Sequence, residues 1–554
     1  MDNSSSFAPP SVLPDISPTR GEIGRHLHLR QSPTSHGRRR PSELPISPQV
    51  GEMPSFGKEG RTEGGAVERC HSAAKAICFL GSVASLALLL PTPAFAHASD
   101  RGHVLLLPTG YYVAGGAFAV AASFLVLALL PSDFPARFWR WRLPLFAFGD
   151  GARAVVSLIS FAGFVILIAA GLFGSRDPLS NPLPLAIWTL LWVGLVLLQG
   201  LFGNLWSWLN PWYGPWRVIS RLFGNRKTWR PPVWLGCWPA FALFFAFAWF
   251  ELIDPAPDDP ARLAWAAGLY WLLSFAAMLV FGYRDWTRRG EFLTVFLAMV
   301  ARFALLERDE GKRNEGGRNE VERKEGGRLS LCWPGAKLGD AAPLSLSGIA
   351  FLLLALSSVS FDGLSKTFFW LGLFGINPLE VPGRTAVIGI GSFGLVLTFV
   401  LLAAAFIIAI VLGQHLAGSP HSLSQAAGLL VWSIVPIALA YHVAHYLTAL
   451  LVDGQYALAA LSDPFTLGWN LFGTADMPIE AGVAAGAGSA WWLWNFQAGV
   501  IIIGHMLAVL VAHGLAWRLH PRPAGAALSQ FPLTVLMIAY TVFGLWLLAT
   551  PSVG

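Results

Sequence analysis

From residue 109 onward the chain is a series of long, unbroken apolar runs separated by short polar connectors. The runs fall at 109–130, 152–174, 183–203, 233–252, 263–282, 346–365, 386–413, 425–451, 492–516 and 532–550. A helix needs about 20 apolar residues to cross the hydrocarbon core of a bilayer. Within that core only helices and closed barrels satisfy every backbone group. These runs are continuous, whereas barrel strands alternate apolar and polar positions. The pattern therefore predicts an all-α, polytopic transmembrane bundle of about ten spans. Segment 291–306 is apolar but short and contains Arg302, which predicts an amphipathic helix on the membrane surface. Trp206, Trp208, Trp212 and Trp216, with Arg217 and Arg221, predict a second interfacial helix.

Ahead of the first span the pattern changes. Residues 1–72 are polar and rich in Ser, Pro, Gly and Arg, and read as a disordered extension or an over-extended translation start. Residues 73–96 have the form of a signal peptide. Lys75 supplies the positive end, Ala76 to Leu90 the apolar core, and Ala94-Phe95-Ala96 a small-x-small cleavage site. Cleavage there makes His97 the mature N-terminus. Residues 97–306 then form the first half of the bundle and 346–554 the second. Between them, 307–345 reads as a flexible charged cytoplasmic insert, because 307–328 is a degenerate charged repeat with Val321 as its only large apolar residue.

Composition agrees with the pattern. Charged residues are 13% of the chain and the mean hydropathy is +0.55, against about 25% charge in soluble domains. The net charge of +6 comes from Lys and Arg in short connectors, with no continuous patch for a nucleic acid. Arg137, Arg140, Arg142 and Arg153 lie in one connector, Arg217 to Arg230 in the next but one, and Arg284, Arg288 and Arg289 in the next again. The alternate connectors carry Glu251, Asp254, Asp258 and Asp259, then Asp453, Asp463, Asp476 and Glu480. By the positive-inside rule the Arg-rich connectors face the cytoplasm. The expected placement is a bacterial cytoplasmic (inner) membrane with both mature termini periplasmic. Cys237 and Cys332 then lie on the reducing side, so no disulfide framework is implied.

Ionisable side chains inside spans are costly and mark functional sites by default. His442 and His445 share a face of the eighth span, and His505 lies deep in the ninth. A rise of about 1.5 Å per residue puts both positions near the midplane, where three imidazoles could converge on a metal. Asp453 follows near the same face as His442 and is a candidate base or outer-sphere partner. His97, with its free α-amine, suits Cu(II), and His103 is a further candidate ligand. The alternatives are a proton-relay or substrate site, or neutral histidines that hydrogen-bond between helices.

The stretch A-F-A-H-A-S-D-R-G-H-V-L-L-L-P-T-G-Y-Y-V-A-G-G-A at 94–117 and the Y-H-V-A-H-Y motif at 441–446 carry a resemblance. The chain resembles a family of bacterial integral-membrane proteins commonly labelled fenitrothion hydrolase, over about residues 94–550. The resemblance implies hydrolysis of an organophosphate ester and carries over no catalytic residues. Joined to the histidines, it suggests a metal-assisted aryl phosphotriester hydrolase using a divalent metal such as Zn or Cu. Its competitors are a copper-handling or transport protein and a haem-binding redox protein with His442 or His445 facing His505.

Overall fold

The computed structural model describes residues 109–129, 139–149, 152–224, 228–309, 326–377, 383–484 and 486–550. The expected signal peptide, His97, His103 and the polar preface lie outside the described residues.

Ten helical segments among the described residues are long and apolar enough to cross a membrane. They coincide with the expected spans to within a few residues at most ends. In chain order the elements are α1 (Thr109–Leu129), β1 (Arg142–Gly149), α2 (Arg153–Phe173), α3 (Pro182–Phe202), α4 (Trp206–Leu209), α5 (Tyr213–Phe223) and α6 (Trp238–Ile253). Next come α7 (Pro260–Phe281), α8 (Tyr283–Arg289), α9 (Phe292–Val300), β2 (Leu306–Asp309), β3 (Gly326–Cys332) and α10 (Ala336–Gly339). The last group is α11 (Leu346–Ser365), α12 (Phe368–Leu373), α13 (Arg384–Leu416), α14 (Leu423–Ser462), α15 (Ala487–Leu519) and α16 (Pro523–Ala549). The last span was expected at 532–550, but α16 begins at Pro523 and carries Pro532 inside it. A proline is tolerated within a membrane helix where its surroundings re-satisfy the freed backbone groups.

Helices α11 and α14 are the central ones. Their most apolar stretches are 89% and 83% buried, against 17–56% for the other spans. Lipid tails are as apolar as leucine, so close packing rather than the hydrophobic effect must hold such helices together. The sequence supplies small residues at the contacts. Gly413 of α13 lies against the backbone of Ser529 in α16, and Gly504 of α15 against Ala440 in α14. Buried Ser357, Ser358 and Ser360 of α11 return their hydroxyls to carbonyls three or four residues back.

Short connectors run successive spans antiparallel and sort the charges to two ends. The basic end holds Arg153, which donates to the Ser207 carbonyl at 2.7 Å, and Arg518, which donates to that of Ala341 at 2.7 Å. At this end the structure departs from the purely helical expectation. A small antiparallel sheet of order β1-β3-β2 pairs Arg142 with Cys332 and Leu306 with Leu331. Arg142 on β1 also forms an ion pair with Glu307 on β2. The expected flexible insert 307–345 is therefore ordered at its flanks, and 310–325 lie outside the described residues.

One further expectation fails and another holds only in part. Segment 291–306 does not lie on the membrane surface. Its helix, α9, has nine residues, and all but Thr294 and Ala298 are buried. Glu291 caps it, accepting from the amides of Leu293 and Thr294 at 2.9 and 2.8 Å. Nine residues cannot span a bilayer, so the antiparallel order continues past it. In the expected second interfacial segment Trp206 and Trp212 are folded inward, at 5% and 2% exposure, while α5, with Arg217 and Arg221, is amphipathic and leaves Leu222 and Phe223 exposed. Their indoles donate to Thr294 Oγ1 and to the Trp271 carbonyl. Indole rings bury readily once the N–H has an acceptor.

Candidate functional site

The acidic end holds a buried polar network that links α6, α11 and α14. Asp362, in the last turn of α11, is 4% exposed. Its Oδ2 is 2.6 Å from His445 Nε2 and its Oδ1 is 2.8 Å from Lys366 Nζ, one helical turn on. Tyr446 OH lies 3.1 Å from Asp362 Oδ2 and 3.0 Å from Glu251 Oε1. Nearby, Arg262 pairs with buried Asp254 at 2.7 Å, and Arg384 donates to the Glu251 carbonyl at 3.1 Å.

Proton counting constrains this arrangement. A phenol has one proton and can donate it to one carboxylate. Two ionised carboxylates on the same hydroxyl oxygen would leave one contact with lone pairs opposed. The chain closes when a single proton is shared on the Glu251 side: Glu251 donates to Tyr446, and Tyr446 donates to Asp362. Asp362 is then the ionised member, accepting from Tyr446, His445 and Lys366. His445 Nε2 carries the proton facing Asp362, which leaves the lone pair on Nδ1. That nitrogen has no hydrogen-bond partner among the described residues, and the side chain is 27% exposed. An imidazole oriented by a carboxylate is a general-base arrangement.

The sequence-predicted histidines do not converge. His442 Nε2 donates to the Trp192 carbonyl at 2.8 Å, within the π-helical stretch Leu185–Leu195 of α3. His445 turns instead to Asp362 on α11. His505 Nδ1 donates to the Ile501 carbonyl of its own helix at 2.8 Å, and the ring lies 6.0 Å from that of Tyr441. Helical spacing put His442 and His445 on one face, but acceptors on different helices draw the rings apart. Among the described residues no group of three or more His, Cys, Asp or Glu side chains is placed to hold a metal ion. Asp453 is not part of the network; it is half-buried and feels the charge of Asp258.

Sequence reasoning passed over Asp362, Lys366 and Tyr446, and read Glu251 only as a loop acid. A signal was present. Asp362 is the one carboxylate within the expected span 346–365, and intramembrane charges pair with one another. His513 was also missed. It accepts from the Trp517 indole at 3.1 Å and lies 3.0 Å from Gln530 Oε1, so both of its nitrogens are satisfied between α15 and α16. It has the inter-helix bonding role considered for the other histidines.

A second feature lies in the first half of the bundle. A cavity of about 650 Å3 opens between α2, α3, α6 and α7, floored by α4 and α9. Trp188, Trp192, Trp212, Trp271, Phe247 and Phe292 contribute to its walls. Trp192 joins the two features. Its ring lines the cavity and stands edge-on to His442 at 5.4 Å, and His442 in turn lies 4.9 Å from Tyr446.

The chain matches no protein-family model, no curated protein and no solved structure.

Proposed function

We propose that this chain is a multi-pass hydrolase of a bacterial cytoplasmic membrane, with its basic end in the cytoplasm and the Asp362–His445 pair acting as general base at the periplasmic end. The observation that carries the reading is the 2.6 Å contact between Asp362 Oδ2 and His445 Nε2, backed by Lys366 and Tyr446. The substrate class, a lipophilic aryl phosphotriester, follows from the family resemblance at 94–117 and 441–446.

Asp362 holds the His445 ring in one tautomer and stabilises the imidazolium that forms. His445 Nδ1 removes a proton from water as the water oxygen attacks phosphorus. The new P–O bond forms and the bond to the aryl oxygen breaks. The aryloxide leaves with the electron pair, and the proton stays on His445 until solvent removes it. Base catalysis of this kind contributes about 10²–10⁴-fold. The supporting features are the partial exposure of His445 and of Lys366, at 27% and 48%.

A second reading rests on one observation, the Tyr446 hydroxyl between two carboxylates. The Glu251 and Tyr446 protons in line toward Asp362 also form a proton relay, as a proton-coupled transporter would need.

The test is release of nitrophenolate from an aryl phosphotriester by purified protein in lipid. Wild type turns over, and His445→Ala loses at least a hundredfold. His442→Ala, whose ring is committed to the Trp192 carbonyl, stays within tenfold. Turnover that requires added Zn or Cu and survives His445→Ala replaces this reading with the metal-assisted one. No turnover, with proton uptake into proteoliposomes that Tyr446→Phe abolishes, replaces it with transport.

A further inference from the structure

We propose that the aromatic cavity between α2, α3, α6 and α7 is a binding site for an uncharged aryl compound taken directly from the lipid phase. This goes beyond the chemistry proposed for Asp362 and His445 and does not depend on it.

Gly163 lies in the interior of α2 and lines the cavity, and a Cβ built on it meets nothing within 4 Å. Glycine weakens a helix interior relative to alanine. Protein packing does not account for it here, since the space beyond it is open. What its absent side chain preserves is cavity volume.

The walls select the ligand. No charged side chain lines the cavity, so a charged ligand would be desolvated without a partner. Its aromatic residues offer faces and edges, which recognise another ring by offset stacking and edge contacts. The wall polar groups are mostly committed within the protein. The Trp188 indole donates to the Pro257 carbonyl, and Tyr270 donates to Glu291. The Trp192 and Trp271 indole nitrogens are buried with no acceptor among the described residues. The volume of about 650 Å3 lies within the range of small-molecule sites, about 300–1,000 Å3.

The mouth opens on the outer, apolar face of α7. Leu269 and Leu273 both line the cavity, yet they stand 58% and 56% exposed on α7. A compound dissolved in the bilayer can pass between them without crossing water.

The full chain in phosphatidylcholine nanodiscs is titrated with anthracene, which accepts energy from tryptophan. Wild type shows a saturable phase of quenching above the linear partition background. Gly163→Phe fills the cavity and weakens that phase at least tenfold. Gly389→Phe, at an exposed glycine of α13 whose Cβ also meets nothing within 4 Å, leaves it unchanged. Quenching by bilayer partition only, or equal saturable binding by wild type and Gly163→Phe, overturns the proposal. So does displacement of anthracene by stearic acid at lower concentration than by pyrene, since that assigns the cavity to an acyl chain. If Gly163→Phe does not fold, photolabelling of wild type with an aryl diazirine decides. Protection of the 263–273 peptide by anthracene supports the site, and labelling indifferent to anthracene removes it.

Discussion

Replacing Asp362 by asparagine separates the role of its charge from the role of its shape. The carboxylate accepts three bonds, from His445 Nε2 at 2.6 Å, Lys366 Nζ at 2.8 Å and Tyr446 OH at 3.1 Å. An amide of the same size has one acceptor oxygen and one donor nitrogen. Lys366 has no acceptor of its own, so it claims the oxygen. The amide nitrogen is then turned towards His445 and Tyr446. Two facing N–H groups repel, so His445 moves its proton to Nδ1 and presents the lone pair of Nε2 to the amide. The nitrogen that served as the base becomes a donor. A substitution of this kind in an Asp–His pair, with geometry kept and tautomer reversed, costs about 10⁴-fold in turnover. The structural cost is smaller. Two charge-assisted bonds at about 1.5–3 kcal/mol each are weakened, but Lys366 is 48% exposed and regains water. The net loss should be about 2–3 kcal/mol. Nitrophenolate release by Asp362→Asn should fall at least a thousandfold, while the thermal midpoint drops by a few degrees. Nitrogen-15 shifts of His445 should report the exchange of tautomers even if no substrate is turned over. A variant with wild-type tautomer and activity within tenfold of wild type would refute the reasoning.

Other changes should behave differently. His505→Leu removes a buried ring whose Nε2 has no hydrogen-bond partner; unfolding should be unchanged or shifted up by about 1 kcal/mol, and a loss above about 2 kcal/mol would mean that nitrogen is bonded. Gly413→Ala forces a methyl onto the Ser529 carbonyl and should cost about 1–3 kcal/mol; Gly389→Ala, facing open space, should gain about 0.5–1 kcal/mol, both read by thermal unfolding in the same lipid. At Glu291, outside the spans, burial pushes the carboxyl above its ordinary value of 4.5. The folded state then keeps a proton that the unfolded chain has released, so this group's stabilisation is lost as pH rises from 4.5 through the raised value. Wild type should lose stability relative to Glu291→Gln over that rise, and a gain would contradict the burial.

The number and approximate bounds of the spans were legible from residue order alone, because bilayer thickness imposes a length and backbone polarity imposes helix. The separation of charge was legible too: Arg284, Arg288 and Arg289 fall at one end of the bundle and Asp254, Asp258 and Asp259 at the other, as their connectors required. What helical spacing could not decide was where each polar side chain finds its partner. His442 and His445 are three residues apart, yet one reaches a carbonyl on α3 and the other a carboxylate on α11. Those acceptors are 250 and 83 residues away in the chain, and only helix packing brings them within bonding distance. The inward turn of Trp206, Trp212 and α9, and the cavity they floor, were likewise settled by packing. An apolar segment satisfies lipid and protein interior equally well, so its hydrophobicity alone does not say which of the two will surround it.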